Sequence, residues 1–167
     1  PCSEGVMFLP YLMGERSPHN DAGARAAFLG MTMDTTRPAM TLAMLEGVAF
    51  AIRDSLEVAR SLGVAPARST ICGGGAKSAL WREIFANVLN MELDSVETEE
   101  GPGYGGAMLA AVACGQFETV AQAARQLVRV KATTTPTPAL AEQYEARYQV
   151  FQHRCPALKP LFPAMTV

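Results

Sequence analysis

Histidine and cysteine are scarce in this 167-residue sequence, with two and four copies respectively. The cysteines stand far apart, at positions 2, 72, 114 and 155, so none of the short Cys or His spacings typical of a zinc site occurs. The opening residues do not have the pattern of a secretion signal. We therefore expect reduced thiols in a cytoplasmic protein.

Charged residues and long apolar runs are limited as well. Charged residues make up 18% of the chain and the formal net charge is −2, which gives no electrostatic reason to expect nucleic acid or an anionic membrane as a partner. No apolar run reaches the ~18 residues that a membrane span needs. With 49% hydrophobic residues, the composition predicts one globular domain that buries roughly 70% of its unfolded surface.

What the sequence does contain is clustered glycine. Residues 69–72 predict a short strand, the glycines at 73–75 predict a sharp turn, and a helix is expected over 76–89. The first N–H groups of a helix lack partners inside the helix and carry partial positive charge, which suits a phosphate or the edge of a nucleotide. A tight turn without a ligand explains this pattern equally well.

Two better-known glycine motifs do not fit. A Walker phosphate loop needs glycine where Ala76 stands, and a dinucleotide motif that begins at the turn needs glycine where Ser78 stands. The glycines between 101 and 106 match the dinucleotide spacing, but that motif requires a following strand. Because residues 119–130 have a helical pattern, a dehydrogenase remains only an alternative hypothesis.

The remaining pattern alternates between strands and helices, which predicts an α/β architecture. Strands are expected over 6–9, 26–31, 69–72 and 91–96; helices over 38–62 and 76–89, then up to Gly115, from Thr119 onwards, and up to Pro156. Residues 131–138 are interpreted as a Thr/Pro-rich linker. In the helix over 38–62, a stripe that steps by four residues is expected to face the core: Met40, Met44, Val48, Ile52 and Leu56.

The segment 10–21 is a long loop that is rich in proline, glycine and charge, and its composition favours a functional role. His19 is interpreted as an ordinary loop histidine because no partner cluster is visible in the sequence. We find no candidate for a catalytic base and no metal ligand. Four aspartates are interpreted as solvated carboxylates: Asp21, Asp34, Asp54 and Asp94.

Several segments resemble the FGGY family of carbohydrate kinases, and its xylulokinase branch most closely. Residues 8–19, FLPYLMGERSPH, resemble a loop of that family, and residues 26–51 resemble its second signature, with Ala39 where a polar residue is usual. The turn at 73–78 resembles the family's adenosine-binding turn. Residues 101–107 resemble its second glycine segment beside the nucleotide, and the four segments occur in the family's order.

The resemblance implies the C-terminal portion of an actin-like, ribonuclease-H-like ATPase domain over 1–155, followed by a tail over 156–167. It implies an ATP-dependent sugar kinase that uses Mg²⁺, with D-xylulose as the substrate of the best-matching branch. The catalytic aspartate is expected upstream of residue 1, so the isolated chain is expected to be inactive. The implied nucleotide contacts are Gly73, Gly74, Gly75, Ala76, Lys77, Ala79, Gly101 and Gly105.

The resemblance also implies partners. These are a sugar, expected to be a pentulose, the remainder of the kinase chain and a possible homodimer. Because the first strands of the sheet and the whole N-terminal domain are expected to precede this chain, part of the apolar face of the helix over 38–62 should be uncovered. Two alternatives stay open: an FGGY kinase acting on ribulose, gluconate or glycerol, and a non-catalytic actin-like nucleotide-binding module.

Overall fold

The computed structural model describes residues 3, 5–98 and 101–165. Its strands are β1 Met7–Leu9, β2 Ala27–Leu29, β3 Arg68–Ile71, β4 Glu92–Val96 and β5 Val130–Thr134. Its helices are α1 Arg37–Ser61, α2 Ala79–Leu89, α3 Gly101–Ala113, α4 Val120–Leu127, α5 Pro138–Gln152, α6 Arg154–Leu158 and α7 Phe162–Met165. None of the helices in these ranges is both long and apolar enough to cross a membrane.

The strands form two small sheets. In one, β1 pairs with β2 in antiparallel orientation, and in the other β4 lies between a parallel β3 and an antiparallel β5.

The interpretation of residues 131–138 as a linker is wrong, because β5 occupies the first half of this segment. The prolines that suggested a linker, Pro136 and Pro138, follow the strand rather than interrupt it, and β-branched Val130, Thr133 and Thr134 suit a pleated sheet.

Helix α1 has the ends that its sequence predicts. The Thr36 side chain accepts a hydrogen bond from the Ala39 N–H at 3.3 Å, and Pro38 occupies the first turn, where no backbone N–H is needed. At the other end Gly63 adopts φ +87°, a conformation that glycine tolerates far better than other residues.

The buried face of α1 differs from the prediction. Met44 is 40% exposed and Ile52 is 50% exposed, so these two residues of the predicted stripe do not face the core, whereas Leu56 packs against the smaller core cluster around Leu89. Small residues, Ala43 and Gly47, lie where strand β1 crosses α1 at close range: a Cβ on Gly47 would lie 2.1 Å from the Phe8 carbonyl oxygen. Three residues of the predicted stripe, Val48, Ile52 and Leu56, line an open groove, which is described below.

The main core lies between β1, α1, α2 and α5. Phe50 of α1 is its centre and packs against the rings of Tyr144, Tyr148 and Phe151, with centroid distances of 5.2 to 6.2 Å. Phe162 of α7, which is 1% exposed, joins the same core. The predicted boundary between 155 and 156 falls inside α6.

Charged side chains that are buried beside this core pair with one another. Glu46 is 1% exposed and accepts hydrogen bonds from Arg147 at 2.8 Å, Ser3 at 2.7 Å and the Tyr144 hydroxyl at 3.2 Å. Arg53 donates to the Val88 carbonyl at 3.0 Å. These bonds fix α1 against α5 and α2, since a buried charge is tolerated only when it is paired.

Candidate functional site

The glycine turn follows directly on β3. Gly73 adopts φ +90°, a 3₁₀ turn spans Gly74–Lys77, and Ser78 caps α2 by accepting the Trp81 N–H at 3.3 Å. The predicted start of the helix at Ala76 is therefore wrong by three residues, because the Ser78 side chain provides the cap that starts the regular helix.

The three glycines of the turn are there for different reasons. Gly73 needs its positive φ. A Cβ on Gly75 would lie 2.5 Å from the Trp81 ring, so packing inside the protein already excludes a side chain at that position. A Cβ on Gly74 would meet no described atom within 4 Å, and its φ is not positive. Only Gly74 lacks an explanation within the described chain.

Trp81 holds this turn in place. Its indole N–H donates to the Leu45 carbonyl of α1 at 3.1 Å, and its ring packs against Phe85 with centroids 5.7 Å apart. Because Gly75 lies close to the same indole ring, one side chain connects the turn to α1.

A cavity of about 310 Å³ lies on one side of the turn, where β3 and β4 end. Three cationic residues line it, and the described lining contains no aspartate or glutamate. Arg82 is held above the turn by a hydrogen bond of 2.6 Å to the Ala76 carbonyl. The cationic and polar residues of the lining are Lys77, Arg82, Lys131 and Ser95.

An apolar groove of about 520 Å³ lies on the other side of the turn, between α1, α2 and β3. Its lining includes three residues of the predicted stripe on α1, Val48, Ile52 and Leu56, together with Trp81 of α2. In the described part of the chain β3 is paired on one edge only, with β4. The groove and this edge of β3 therefore form a surface that no described residue covers.

The second glycine segment is helical, not a loop. Gly101, Gly103 and Gly105 lie within α3, and a Cβ on any of them would meet nothing within 4 Å in the rest of the described chain. The helix carries no charged residue, and none of its residues is buried. Gly101 begins the helix with φ +29°, a conformation that favours glycine. Gly103 and Gly105 lie inside the helix, where a glycine costs about 1 kcal/mol relative to alanine, and packing against the described residues does not explain this cost.

The structure brings together only some of the predicted nucleotide contacts. Gly73, Ala76 and Lys77 line the cavity, and Gly74 lies between them on the same turn. Ala79 is the first residue of α2. Gly101 and Gly105 are on α3, which contributes nothing to the lining of the cavity. Lys131 also lines the cavity, and this position was not predicted because residues 131–138 were interpreted as a linker.

The loop over 10–21 is held by its own side chains. The two carboxylate oxygens of Glu15 accept the backbone N–H groups of Ser17 and His19, both at 2.7 Å. The Ser55 hydroxyl of α1 donates to the Ser17 carbonyl at 3.0 Å. Ser55 is ten residues from Leu45, where Trp81 binds, so these two contacts lie about 15 Å apart along α1.

His19 does have a partner, contrary to the sequence interpretation. Its Nε2 lies 3.4 Å from Oδ2 of Asp54, which is 8% exposed and accepts a hydrogen bond from the Tyr148 hydroxyl at 2.7 Å. Burial raises the pKa of Asp54, and the Tyr148 bond and His19 partly offset that rise. Asp54 is one helical turn from buried Phe50, and this spacing is the sequence signal that could have predicted its burial.

Asp94 is likewise not a solvated carboxylate. It is 7% exposed, accepts two hydrogen bonds from Arg68 at 2.6 and 2.8 Å, and accepts a third from the Thr133 hydroxyl at 2.6 Å. These bonds hold its pKa below the usual range.

The other two aspartates behave differently: Asp21 accepts the Gly23 N–H, and Asp34 is exposed as predicted. Among the described residues, no group of three or more His, Cys, Asp or Glu could hold a metal ion.

The dehydrogenase alternative is wrong. It requires a strand over 119–130, but α4 Val120–Leu127 occupies that segment, capped by Thr119, whose side chain accepts the Gln122 N–H at 3.1 Å. The strand that follows, β5, runs antiparallel to its neighbour rather than parallel.

The sequence profile of the C-terminal domain of the FGGY family of carbohydrate kinases matches residues 2–114. The chain therefore belongs to the FGGY family of carbohydrate kinases. Among its curated relatives, the xylulose kinase of Staphylococcus epidermidis is 34% identical over 150 residues, which cover 90% of this chain and 30% of the relative. The chain thus spans about a third of the length of the curated relatives it matches.

Solved structures agree with this placement. The ligand-bound xylulose kinase of Lactobacillus acidophilus superposes with a TM-score of 0.90 at 27% identity and covers 98% of this chain and 33% of its own. The gluconate kinase of the same organism gives a TM-score of 0.89, also at 27% identity, with the same coverage. The predicted fold, the C-terminal portion of an actin-like, ribonuclease-H-like ATPase domain, is confirmed.

Proposed function

We propose that this chain is the nucleotide-holding part of an ATP-dependent sugar kinase, and that the complete kinase phosphorylates D-xylulose. The observation that carries the proposal is the turn after β3, where Gly74 leaves open space beside a cavity lined by cations. A nucleotide can lie close to the backbone only where no side chain intervenes, and its phosphates bind best beside positive charge. The similarity to xylulose kinases supports the choice of sugar.

The contribution of this chain to catalysis would be positional. Phosphoryl transfer depends mainly on alignment of the reactants and neutralisation of charge, rather than on covalent chemistry by the protein. In this proposal the turn Gly73–Lys77 orients the nucleotide, and Trp81 keeps the turn rigid through its bond to Leu45. Mg²⁺ would arrive with the nucleotide phosphates, because the described residues hold no group of metal ligands.

The base that accepts the proton of the sugar hydroxyl would come from the remainder of the kinase chain. Both buried aspartates of the described part already have side-chain partners: Asp54 contacts Tyr148 and His19, and Asp94 contacts Arg68 and Thr133.

The remainder of the kinase chain would also cover the apolar groove beside α1 and pair with the open edge of β3. A homodimer and a cytoplasmic location stay predictions.

A coupled ADP-release assay tests the proposed activity. The full-length kinase is assayed with D-xylulose, D-ribulose, gluconate and glycerol at saturating Mg–ATP. We expect kcat/KM for D-xylulose to exceed that for each other compound at least roughly tenfold, a ratio that corresponds to about 1.4 kcal/mol of differential transition-state binding.

Two outcomes would contradict the proposal. A higher kcat/KM for gluconate would favour a gluconate kinase, which the similarity to the Lactobacillus gluconate kinase makes the strongest competitor. ADP binding without sugar-dependent ADP release would favour a nucleotide-binding module with no catalysis. The 167-residue chain alone is expected to release no ADP with any of the four compounds, because both buried aspartates of its described part already have partners and the base is expected from the remainder of the kinase.

A further inference from the structure

The loop over 10–21 has a shape that is fixed from within. Both oxygens of the Glu15 carboxylate accept backbone N–H groups of the loop, and the backbones of Glu15 and Asp21 exchange two hydrogen bonds of 2.8 Å. A Cβ on Gly14 would lie 2.9 Å from the backbone of Ala22. The loop is therefore an ordered element, and residues 16–18 at its tip are exposed to solvent.

Two polar contacts connect this loop to α1 within the described chain. The Ser55 hydroxyl donates to the Ser17 carbonyl at 3.0 Å, and Nε2 of His19 lies 3.4 Å from the Asp54 carboxylate. That Nε2 atom is buried, although 27% of the His19 side chain is exposed. The buried Tyr11 ring meets the His19 ring edge-on, with centroids 5.7 Å apart. His19 is therefore held by an aromatic ring as well as by a carboxylate.

Asp54 is itself fixed by α5. Its Oδ1 accepts the Tyr148 hydroxyl at 2.7 Å, and that hydroxyl accepts the side-chain amide of Gln152 at 3.1 Å. Tyr148 is 1% exposed. The other carboxylate oxygen, Oδ2, is the one that contacts His19. A chain of polar contacts thus runs from α5 through α1 to the loop.

The tip of the loop lies beside the face of α1 that the described residues leave uncovered. Ser55, which binds Ser17, follows Ile52 by three residues and Val48 by seven, and these spacings place all three on one face of a helix. Val48 and Ile52 line the apolar groove. Residues 16–18 are therefore held next to the surface that the remainder of the kinase would cover.

We propose that His19 is a positioning residue, which fastens the loop to α1 through Asp54 and so holds residues 16–18 in place for the remainder of the kinase to close against. The inference rests on the proposed function, since it requires a kinase whose remainder meets this chain over that face. Phosphoryl transfer depends on alignment of the reactants, so a loop that shifts at this junction slows the reaction more than it weakens nucleotide binding.

A contact that serves only stability is the simpler explanation. However, burial raises the pKa of Asp54, so the charged carboxylate is disfavoured there, and an ion pair with a partly exposed histidine contributes little to stability. A purely structural role also predicts that loss of His19 affects the whole fold rather than the loop, and that kcat stays unchanged in the folded variant.

Hydrogen exchange and steady-state kinetics of the full-length kinase separate the two explanations. The variants are His19→Ala, which removes the contact, and His19→Gln, which keeps an N–H donor near the position of Nε2. His153→Ala is the matched control, because His153 is the other histidine of the chain and is exposed. Amide exchange is followed by mass spectrometry in peptides from the loop over 10–21, with peptides around Phe50 of α1 as the internal reference. The kinetic constants are measured with the compound that gives the highest kcat/KM in the ADP-release assay.

In His19→Ala we expect the loop amides to exchange roughly tenfold faster, because the loop loses a contact to a charged group, while the peptides around Phe50 keep their protection. The kcat should fall about tenfold, and ADP affinity should change less than about twofold. His19→Gln should stay nearer to the wild type, and His153→Ala should match it. In a His19→Ala background, Asp54→Asn should add little to the rate of loop exchange, because both changes break the same contact.

Unchanged loop exchange in His19→Ala would overturn the inference, and so would faster loop exchange with a normal kcat. Faster exchange throughout the chain would also overturn it, since the contact would then stabilise the whole fold. The proposed nucleotide site is judged independently by the ADP affinity of Gly74→Ala. If Gly74→Ala weakens ADP binding while His19→Ala leaves the loop unchanged, only the role of His19 is lost. If the wild type phosphorylates none of the four compounds, the proposed function fails, and loop exchange alone decides whether His19 fastens the loop.

Discussion

The two sides of α1 differ in how completely the described residues cover them and provide partners for their polar groups. On the side that faces β1 and α5, Phe50 is fully buried and Glu46 has three partners for its carboxylate. On the side that faces β3 and α2, Ile52 lines an uncovered groove, and Gly74 on the adjoining turn has no reason within the described protein to be glycine. Folding alone explains Phe50 and Glu46 on the first side, whereas the second side requires a ligand or further protein.

The largest loss of stability is expected on the side of α1 that faces β1 and α5. Arg147→Met would leave the Glu46 carboxylate buried without its cation, which typically costs about 3–5 kcal/mol. The measurement is urea unfolding of the full-length kinase. Glu46→Gln combined with Arg147→Met should recover much of the loss, because no uncompensated charge remains. A loss below about 1 kcal/mol in the single variant would mean that this pair is not a principal connection between α1 and α5.

The next effect is expected where the turn meets Trp81. In Gly75→Val the new side chain would overlap the indole ring, since even a Cβ would lie 2.5 Å from it. Overpacking of this kind usually costs about 1–3 kcal/mol, and thermal unfolding of the variant would measure it. If the melting temperature stays unchanged while ADP affinity falls, Gly75 serves the ligand directly, and Trp81 is not what excludes a side chain.

A smaller effect of opposite sign is expected on α3. Gly105→Ala should stabilise the helix by about 0.5–1 kcal/mol, because alanine is the better helix former and meets no described atom. If Gly105 also contacts the nucleotide, as the sequence predicts, ADP should bind several-fold more weakly to this more stable protein. An unchanged ADP affinity would remove Gly105 from the nucleotide site.

The smallest effect concerns the pairing of β3 with β4 and depends on pH. Arg68 holds the pKa of Asp94 below its unfolded value, so the pair stabilises the fold above about pH 4 and loses its effect as the pH falls through the folded pKa. Arg68→Met should therefore lower stability at pH 7, and the difference from the wild type should shrink below about pH 4. Urea unfolding at both values checks this. A difference that is independent of pH would assign the role of Arg68 to packing.

The elements that local sequence patterns define were predicted well. The strand at 7–9 and helix α1 lie within a residue or two of the expected positions, because capping by Thr36 and the stop at Gly63 are local signals. The errors arose where a pattern had two meanings. A stripe of large apolar residues on α1 suggested core, but β1 packs on the side of Gly47, where only small residues allow close approach.

Long-range pairings could not be predicted from one sequence. His19 and Asp54 are 35 positions apart, and Glu46 and Arg147 are 101 positions apart, so neither contact leaves a local signal. The motifs at the glycine turn were visible in the sequence, but the structure was needed to show which glycine the protein itself explains. The contribution of Lys131 to the cavity lining depends on β5, which was taken for a linker.

The most direct test of the central claim is the ADP affinity of Gly74→Ala in the full-length kinase. The new methyl group would meet no described protein atom and requires no positive φ, so stability should stay within about 0.5 kcal/mol of the wild type. If the nucleotide lies against this turn, ADP should bind roughly tenfold more weakly, or about 1.4 kcal/mol. Unchanged ADP affinity in the folded variant would contradict the claim, because the turn would then be only a connection between β3 and α2.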